Sequence, residues 1–448
     1  MKKTAFRGKI MARRDDVMKY FDEQKAENAA AVKEGIEKYR KGDFTLVFES
    51  DGALPEDISV EVEQLSHKFK FGANLYMLDE FESEEKNAIY RESFPELFNL
   101  ATLPFYWSTV EPREGEYRFD KNSPKMYRRP AIDLCLEYCA EHGIEPKCHC
   151  LNYDAFTPDW VKDLPVPEVK KKLEKRFETI AARYADKIPS FEVTNETLQA
   201  SHRSAFFMED DFLEWSYLTA DKYFPNNKLI INDYNVWDPT SHNRNYYYMQ
   251  IERLLRNGIT HLDTIGMQFH CFFPKEAEPT QARQKFNPKR LRELFDLFSR
   301  FGKTLQITEM TIPARSASEE DEALQAELTE NLYKVLFSYP AMDAIIYWNL
   351  VDGYAYQPNG GEPGDMTKGE NVYYGAFMRY DMTKKPVYYA LKRLINEEWH
   401  TSAALKAAGG TARFRGFYGG YKIKAFAAGK TVEKTVLLEK SGEVKIKI

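Results

Sequence analysis

Four segments decide the fold: SFEVTNE (190–196), KLIINDYN (228–235), DTIGMQFH (263–270) and KTLQITEM (303–310). Each is a short apolar run that stops at polar or ionisable residues. Working outward, the same pattern recurs in FGANLY (71–76), NLATLPF (99–105), EPKCHCL (145–151) and DAIIYWNL (343–350), giving eight runs. Amphipathic helical stretches fit between and after them, for example 167–185 and 320–339. Near-continuous apolar strands alternating with helices imply a parallel sheet covered by helices. Eight such units predict an α/β protein with a (β/α)8 barrel. The competing doubly wound open sheet usually carries a Gly-rich phosphate loop after its first strand. FGANLYMLDEF has none, and the chain contains neither a P-loop nor a GxGxxG.

The two ends of the chain follow another rhythm. Residues 11–41 are charged and rich in Ala, Glu and Lys, and predict a helix with a mostly solvated face, ending near Gly42. TLVFES (44–49) and ISVEVEQL (58–65) flank Asp51-Gly52-Ala53-Leu54-Pro55, and Ile58, Val60 and Val62 alternate with charged or polar residues, the pattern of a half-buried hairpin strand. At the far end, 421–448 holds three alternating runs broken at Ala-Gly-Lys and Ser-Gly-Glu, which reads as an antiparallel meander. A lone hairpin is marginal in water. The expectation is therefore a small antiparallel β-sandwich split across the sequence (43–66 plus 409–448), a catalytic barrel over 67–400 and a helical extension over 1–42. The sandwich is expected to brace the barrel, with carbohydrate binding through Phe414, Phe417, Tyr418 and Tyr421 as the alternative.

Composition narrows the function. The 448 residues are 43% hydrophobic and 29% charged, a globular balance. Formal net charge is −6, without the basic excess of a nucleic-acid binder. No run of 18 apolar residues exists, so no membrane span is expected. The start, MKKTAFRGKIMARRDD, lacks the apolar core of a signal peptide. It predicts a cytoplasmic protein as the sequence stands, and a secreted one if a signal was removed upstream. Five cysteines form no disulfide framework. Cys148 and Cys150 flank His149, but tetrahedral zinc needs a second ligand pair that the nearby sequence lacks, so no metal is expected.

In a (β/α)8 barrel the reactive groups sit at the C-terminal ends of the strands. The fourth run ends in Asn195-Glu196, the seventh in Thr308-Glu309, and the sixth carries Gln268 and His270 on one face. The third ends in His149, the fifth in Asn232-Asp233 and the eighth in Trp348-Asn349. Two Glu facing each other across a barrel mouth are what glycoside hydrolysis requires: one protonates the leaving oxygen, the other attacks the anomeric carbon. Their environments must then differ, with the acid raised in pKa and the nucleophile ionised. His270 could orient Glu309. Asn195-Glu196-Thr197 also fits an N-glycosylation sequon, but a glycan there would block the site.

FEVTNE, LIINDYN, GMQFH and LQITEM, in this order, resemble glycoside hydrolase family 10, the endo-β-1,4-xylanases. HCLNYDAFTPDWV (149–161) is similar to the family's strand-three motif, and FNLATLPFYWSTVEPREGEYRFD (98–120) resembles its strand-two segment. The resemblance spans roughly 67–397. It implies a retaining barrel enzyme with Glu196 as acid/base and Glu309 as nucleophile, acting on a polysaccharide or oligosaccharide and needing no cofactor. By the same resemblance His149, Asn195, Gln268, His270 and Trp348 form the substrate-binding set and Asn232 supports the loop; Trp107 and Tyr153, which stand where the motifs depart from the family, are the further substrate-binding candidates. The strand-two motif departs from the family, with Leu103-Pro104-Phe105-Tyr106-Trp107 where Glu-Asn followed by Lys and Trp is usual. Tyr153-Asp154 stands where the strand-three motif has Trp then His. The alternatives are a β-glycosidase of non-xylan specificity and an inactive carbohydrate-binding protein on the same barrel. The Gly- and Pro-rich loop 352–370 is expected to wall the cleft.

Overall fold

The computed structural model describes residues 2–199, 202–234, 236–358 and 360–448, with side chains described from residue 13. Two strands precede the barrel, β1 (Lys41–Glu49) and β2 (Ile58–His67). The barrel strands are β3 (Lys70–Asn74), β4 (Leu100–Pro104), β5 (Glu145–His149), β6 (Ser190–Asn195), β7 (Lys228–Asp233), β8 (Thr264–His270), β9 (Thr304–Thr311) and β10 (Met342–Tyr347). They close in sequence order, β10 pairing parallel with β3, and match the eight expected runs. Every residue of β4 and β6 is buried, because helices cover the outer face and side chains fill the inner one. Alternation is therefore absent from these strands.

Five strands follow: β11 (Ser402–Lys406), β12 (Thr411–Phe417), β13 (Gly419–Ala427), β14 (Lys430–Leu438) and β15 (Gly442–Lys447). With β1 and β2 they form two sheets, β12-β1-β15 and β11-β2-β13-β14. Phe44, Leu46 and Phe48 of β1 share one core with Val60 and Val62 of β2 and with Phe414, Tyr421 and Ile423. The sandwich is thus built from both ends of the chain, but its pairing differs from expectation. β1 and β2 do not form a hairpin. They lie in opposite sheets, so their buried faces meet across the core rather than side by side. β15 leaves the meander and runs parallel to β1, placing Leu46 beside Val444. β11 begins before residue 409 and pairs with β2. Of the four aromatic residues considered for carbohydrate stacking, Phe414, Phe417 and Tyr421 are buried.

The N-terminal extension is two helices, Lys2–Glu23 and Lys25–Tyr39, rather than one. It is also less solvated than its charge suggests. Val17, Met18 and Phe21 are buried in the barrel's core cluster. Arg13 Nε lies 2.9 Å from Glu278 Oε2, and Arg315 Nε lies 2.9 Å from the other oxygen of the same carboxylate. Gly35 permits the close approach of the second helix: a Cβ there would meet the Ser338 carbonyl oxygen at 2.3 Å. None of the described helices is long and apolar enough to cross a membrane.

Candidate active site

The ends of the barrel strands surround a cavity of about 570 Å³. Of the nine residues expected at the site, Glu196, Glu309, His149, Asn195, Gln268, His270, Trp348 and Tyr153 all line it. Trp107 does not. It is buried against Trp160, with ring centroids 5.7 Å apart, and its indole N–H donates to Glu111 at 2.9 Å. The chain beyond β4 turns into a short helix, Trp107–Val110, which carries Trp107 into the core, while Tyr106 stays in the cavity wall.

Glu196 follows the last residue of β6 and is half-buried, with φ +54°, a left-handed conformation uncommon for a residue with a side chain. Its N–H donates to the Asn232 carbonyl at 3.1 Å, which ties the turn to β7. The Asp233 carboxylate accepts the Leu198 N–H at 3.0 Å and holds the segment beyond. The Tyr153 hydroxyl donates to Glu196 Oε2, and Gln268 Nε2 donates to Oε1 at 3.1 Å. Burial, reinforced by the Glu196 charge, pushes the Tyr153 hydroxyl far above its ordinary value, so it remains a donor.

Glu309 lies within β9 and is buried. Asn232 Nδ2 donates to its Oε1 at 2.8 Å, and His270 Nε2 lies 3.1 Å from Oε2. The other His270 nitrogen is 3.0 Å from the Thr311 hydroxyl. Burial holds His270 down to about 4. With Thr311 donating to Nδ1, the neutral ring carries its hydrogen on Nε2 and donates it to Glu309. The two carboxylates are joined by amides. Gln268 Nε2 reaches Glu196 and also Asn195 Oδ1 at 3.2 Å; Asn195 Oδ1 accepts from Asn232 Nδ2 at 2.8 Å; that same nitrogen reaches Glu309. Thr308 Oγ1 donates to Asn232 Oδ1 at 2.5 Å and fixes the amide's orientation. Gly266 makes room for this arrangement, since a Cβ would meet Thr308 Cγ2 at 2.7 Å and Asn232 Oδ1 at 3.0 Å.

Below Glu309 the ionisable side chains alternate in sign. Lys147 bonds Glu192 Oε1, His149 Nδ1 bonds Glu192 Oε2, and Nδ1 also lies 4.0 Å from Glu309 Oε1. Burial alone would lower His149, but Glu192 more than offsets it and raises the imidazole above its ordinary value. Burial pushes Glu309 up to about 8. The His149 charge opposes that rise, while Glu192 and Glu196 add to it. The sequence reading puts the raised pKa on the acid/base and leaves the nucleophile ordinary; the structure instead raises Glu309, because that carboxyl is the buried one. His149, Glu192 and Glu309 bring one donor atom each within 4.8 Å of one another, a spacing that a cation could use. The Lys147 ammonium already bonds one of these carboxylates. Cys148 and Cys150 are free and buried, and burial pushes both thiols up, away from the thiolate a metal would need.

Trp348 forms the apolar floor, edge-on to Tyr76 at 5.4 Å, His149 at 5.6 Å and His270 at 5.8 Å. Sequence reasoning missed Tyr76, Arg128, Arg129, Lys285 and Glu370, all of which line the cavity. The arginines lie in 121–131, which has no apolar period, and only the adjacent Arg-Arg pair before Pro130 marks them. Glu370 and Tyr356 come from the loop 352–370, which does wall the cavity. Asn235, the last residue of the LIINDYN motif, and Asn359 of that loop lie outside the described residues.

Comparison with known proteins gives these features a family. A family model described as Glycosyl hydrolase family 10 matches residues 63–393. Endo-1,4-beta-xylanase B of Thermotoga neapolitana is 23% identical over 358 residues, covering 77% of this chain and 92% of that protein. Endo-1,4-beta-xylanase 3 of Arabidopsis thaliana is 24% identical over 439 residues, covering 94% of this chain; the chain spans about half of that relative, 51%. The crystal structure of xylanase 10B from Thermotoga petrophila RKU-1 in complex with xylobiose superposes with a TM-score of 0.58 at 21% identity, covering 74% of this chain and 95% of that one. With the family model matched across the whole barrel, the protein belongs to glycosyl hydrolase family 10.

Proposed function

We propose that the protein is a retaining glycoside hydrolase that cleaves β-1,4-xylosidic or related β-glycosidic bonds in polysaccharides or oligosaccharides. The observation that carries this reading is the pair of carboxylates in one cavity, linked through Gln268, Asn195 and Asn232. Glu309 attacks the anomeric carbon while Glu196 gives its proton to the glycosidic oxygen, so the C–O bond breaks as the glycosyl–Glu309 ester forms. Glu196, now a carboxylate, takes a proton from water as that water attacks the same carbon and releases Glu309. Asn232 and neutral His270 donate to the two oxygens of Glu309 and favour its ionised form. Membership of the family and the xylanase names of its relatives support xylan or xylo-oligosaccharides as substrate.

The test is proton NMR of the first sugar released from 4-nitrophenyl β-xylobioside. The β-anomer appearing first supports double displacement, and the α-anomer appearing first excludes it. A second reading, a β-glycosidase that prefers another sugar, is favoured by the strand-two wall. There Tyr106 and two arginines stand in the cavity, and Trp107 is withdrawn from it.

A further inference from the structure

Arg128 and Arg129 are adjacent, more than nine-tenths buried, and both line the cavity. Among the described residues neither lies within ion-pair distance of a carboxylate. Arg128 Nη1 donates to Asn349 Oδ1 at 3.2 Å and to the Tyr354 carbonyl, and its buried Nε has no hydrogen-bond partner. Arg129 Nη1 donates to the Arg128 carbonyl at 2.8 Å, and its guanidinium lies over Tyr106 at 4.4 Å and Tyr76 at 5.3 Å. The carboxylates lining the same cavity are engaged elsewhere: Glu196 by Tyr153 and Gln268, Glu309 by Asn232 and His270, Glu370 by Asn349. Two adjacent buried cations without a carboxylate partner are costly to maintain. A planar guanidinium is the group that best matches a carboxylate, through two parallel hydrogen bonds.

Position indicates which part of a substrate would meet them. Tyr106 lies edge-on to His149 at 5.3 Å, and His149 is 4.0 Å from Glu309. Arg129 thus shares its neighbour Tyr106 with the imidazole that lies beside Glu309, the group that bonds the glycone in the proposed reaction. We infer that the cavity selects a β-glycoside whose glycone sugar carries a carboxylate, a uronic acid, with Arg129 as the specificity-determining residue and Arg128 beside it. This rests on the hydrolase reading and extends it to substrate class.

The test uses two inert probes that differ only at C6, phenyl 1-thio-β-D-glucuronide and phenyl 1-thio-β-D-glucoside, titrated calorimetrically into the full chain. A charge-assisted pair predicts that the uronide binds roughly 10- to 100-fold tighter. In Arg129→Met the ratio of affinities should fall to about one, and in Arg129→Lys part of it should survive. A merely structural arginine would weaken both probes alike and leave the ratio unchanged. Equal binding by the wild type, or a preference that persists in Arg129→Met, overturns the inference. Uronide preference without turnover of any aryl β-glycoside would sink the hydrolase reading and leave this one standing. Turnover of neutral glycosides without uronide preference would do the reverse.

Discussion

Asn232 Nδ2 lies 2.8 Å from Glu309 Oε1 and 2.8 Å from Asn195 Oδ1, so one amide group on β7 serves both halves of the site. Removing it takes a donor from the Glu309 carboxylate, the nucleophile of the proposed reaction, and frees the Asn195 side chain. Asn232→Ala should lower kcat on an aryl β-xyloside by on the order of 100-fold, the usual effect of losing one preorganised donor. KM should change far less. An equal loss in both parameters of less than threefold would show that the amide does not act on the reacting carboxylate.

The pH profile should report the buried charge ladder. In the proposed reaction only ionised Glu309 can attack, and burial raises its pKa to about 8. The acidic limb of kcat/KM should therefore lie far above the ordinary carboxylate range, with activity rising as pH increases through it. The His149 imidazolium pulls Glu309 down. His149→Gln should shift that limb upward by about one pH unit or more. A downward shift, or none, would contradict the coupling.

Stability should respond to the same group with a defined sign. A carboxyl whose folded pKa is raised contributes stability that is full below its unfolded pKa of about 4.5 and is lost as pH rises toward about 8. Glu309→Gln removes that loss. The variant should match the wild type in Tm near pH 4 and exceed it by an increasing margin toward pH 8, on the order of several degrees. Thermal unfolding followed across that range checks it.

The two tryptophans should separate cleanly. Trp348 lines the cavity and Trp107 does not. Trp348→Ala should raise KM about tenfold through loss of an aromatic face. Trp107→Phe should leave KM unchanged and cost about 1 kcal/mol of stability, because Glu111 Oε2 loses its indole donor while Oε1 keeps the Gly115 N–H. Steady-state kinetics and denaturant melts on the two variants distinguish the roles.

The barrel was legible because parallel strands buried on both faces read as apolar runs, and the polar residues ending them mark the mouth. Glu196, Glu309 and their amide neighbours were visible by that logic. The sandwich was visible as alternating segments, but alternation gives only a buried face and not a partner. β1 and β2 could therefore be read as a hairpin when they belong to opposite sheets. Arg128 and Arg129 carry no periodic signal, and only tertiary folding brings them beside Tyr76 and Tyr106. Trp107 was misplaced because one turn of helix after β4 separates a wall residue, Tyr106, from a core residue.

In the proposed reaction Glu309 becomes covalently bonded to the sugar. The direct measurement is intact mass, then peptide mapping, after incubation with a 2-deoxy-2-fluoro-β-glycosyl fluoride, in xylobiosyl and glucuronosyl forms. The fluorine at C2 slows both formation and release of the glycosyl ester, and the good fluoride leaving group at C1 restores formation, so the ester accumulates. The prediction is one added glycosyl mass, located on Glu309, with concurrent loss of activity. An adduct on another residue, or progressive inactivation without any adduct on Glu309, would contradict it.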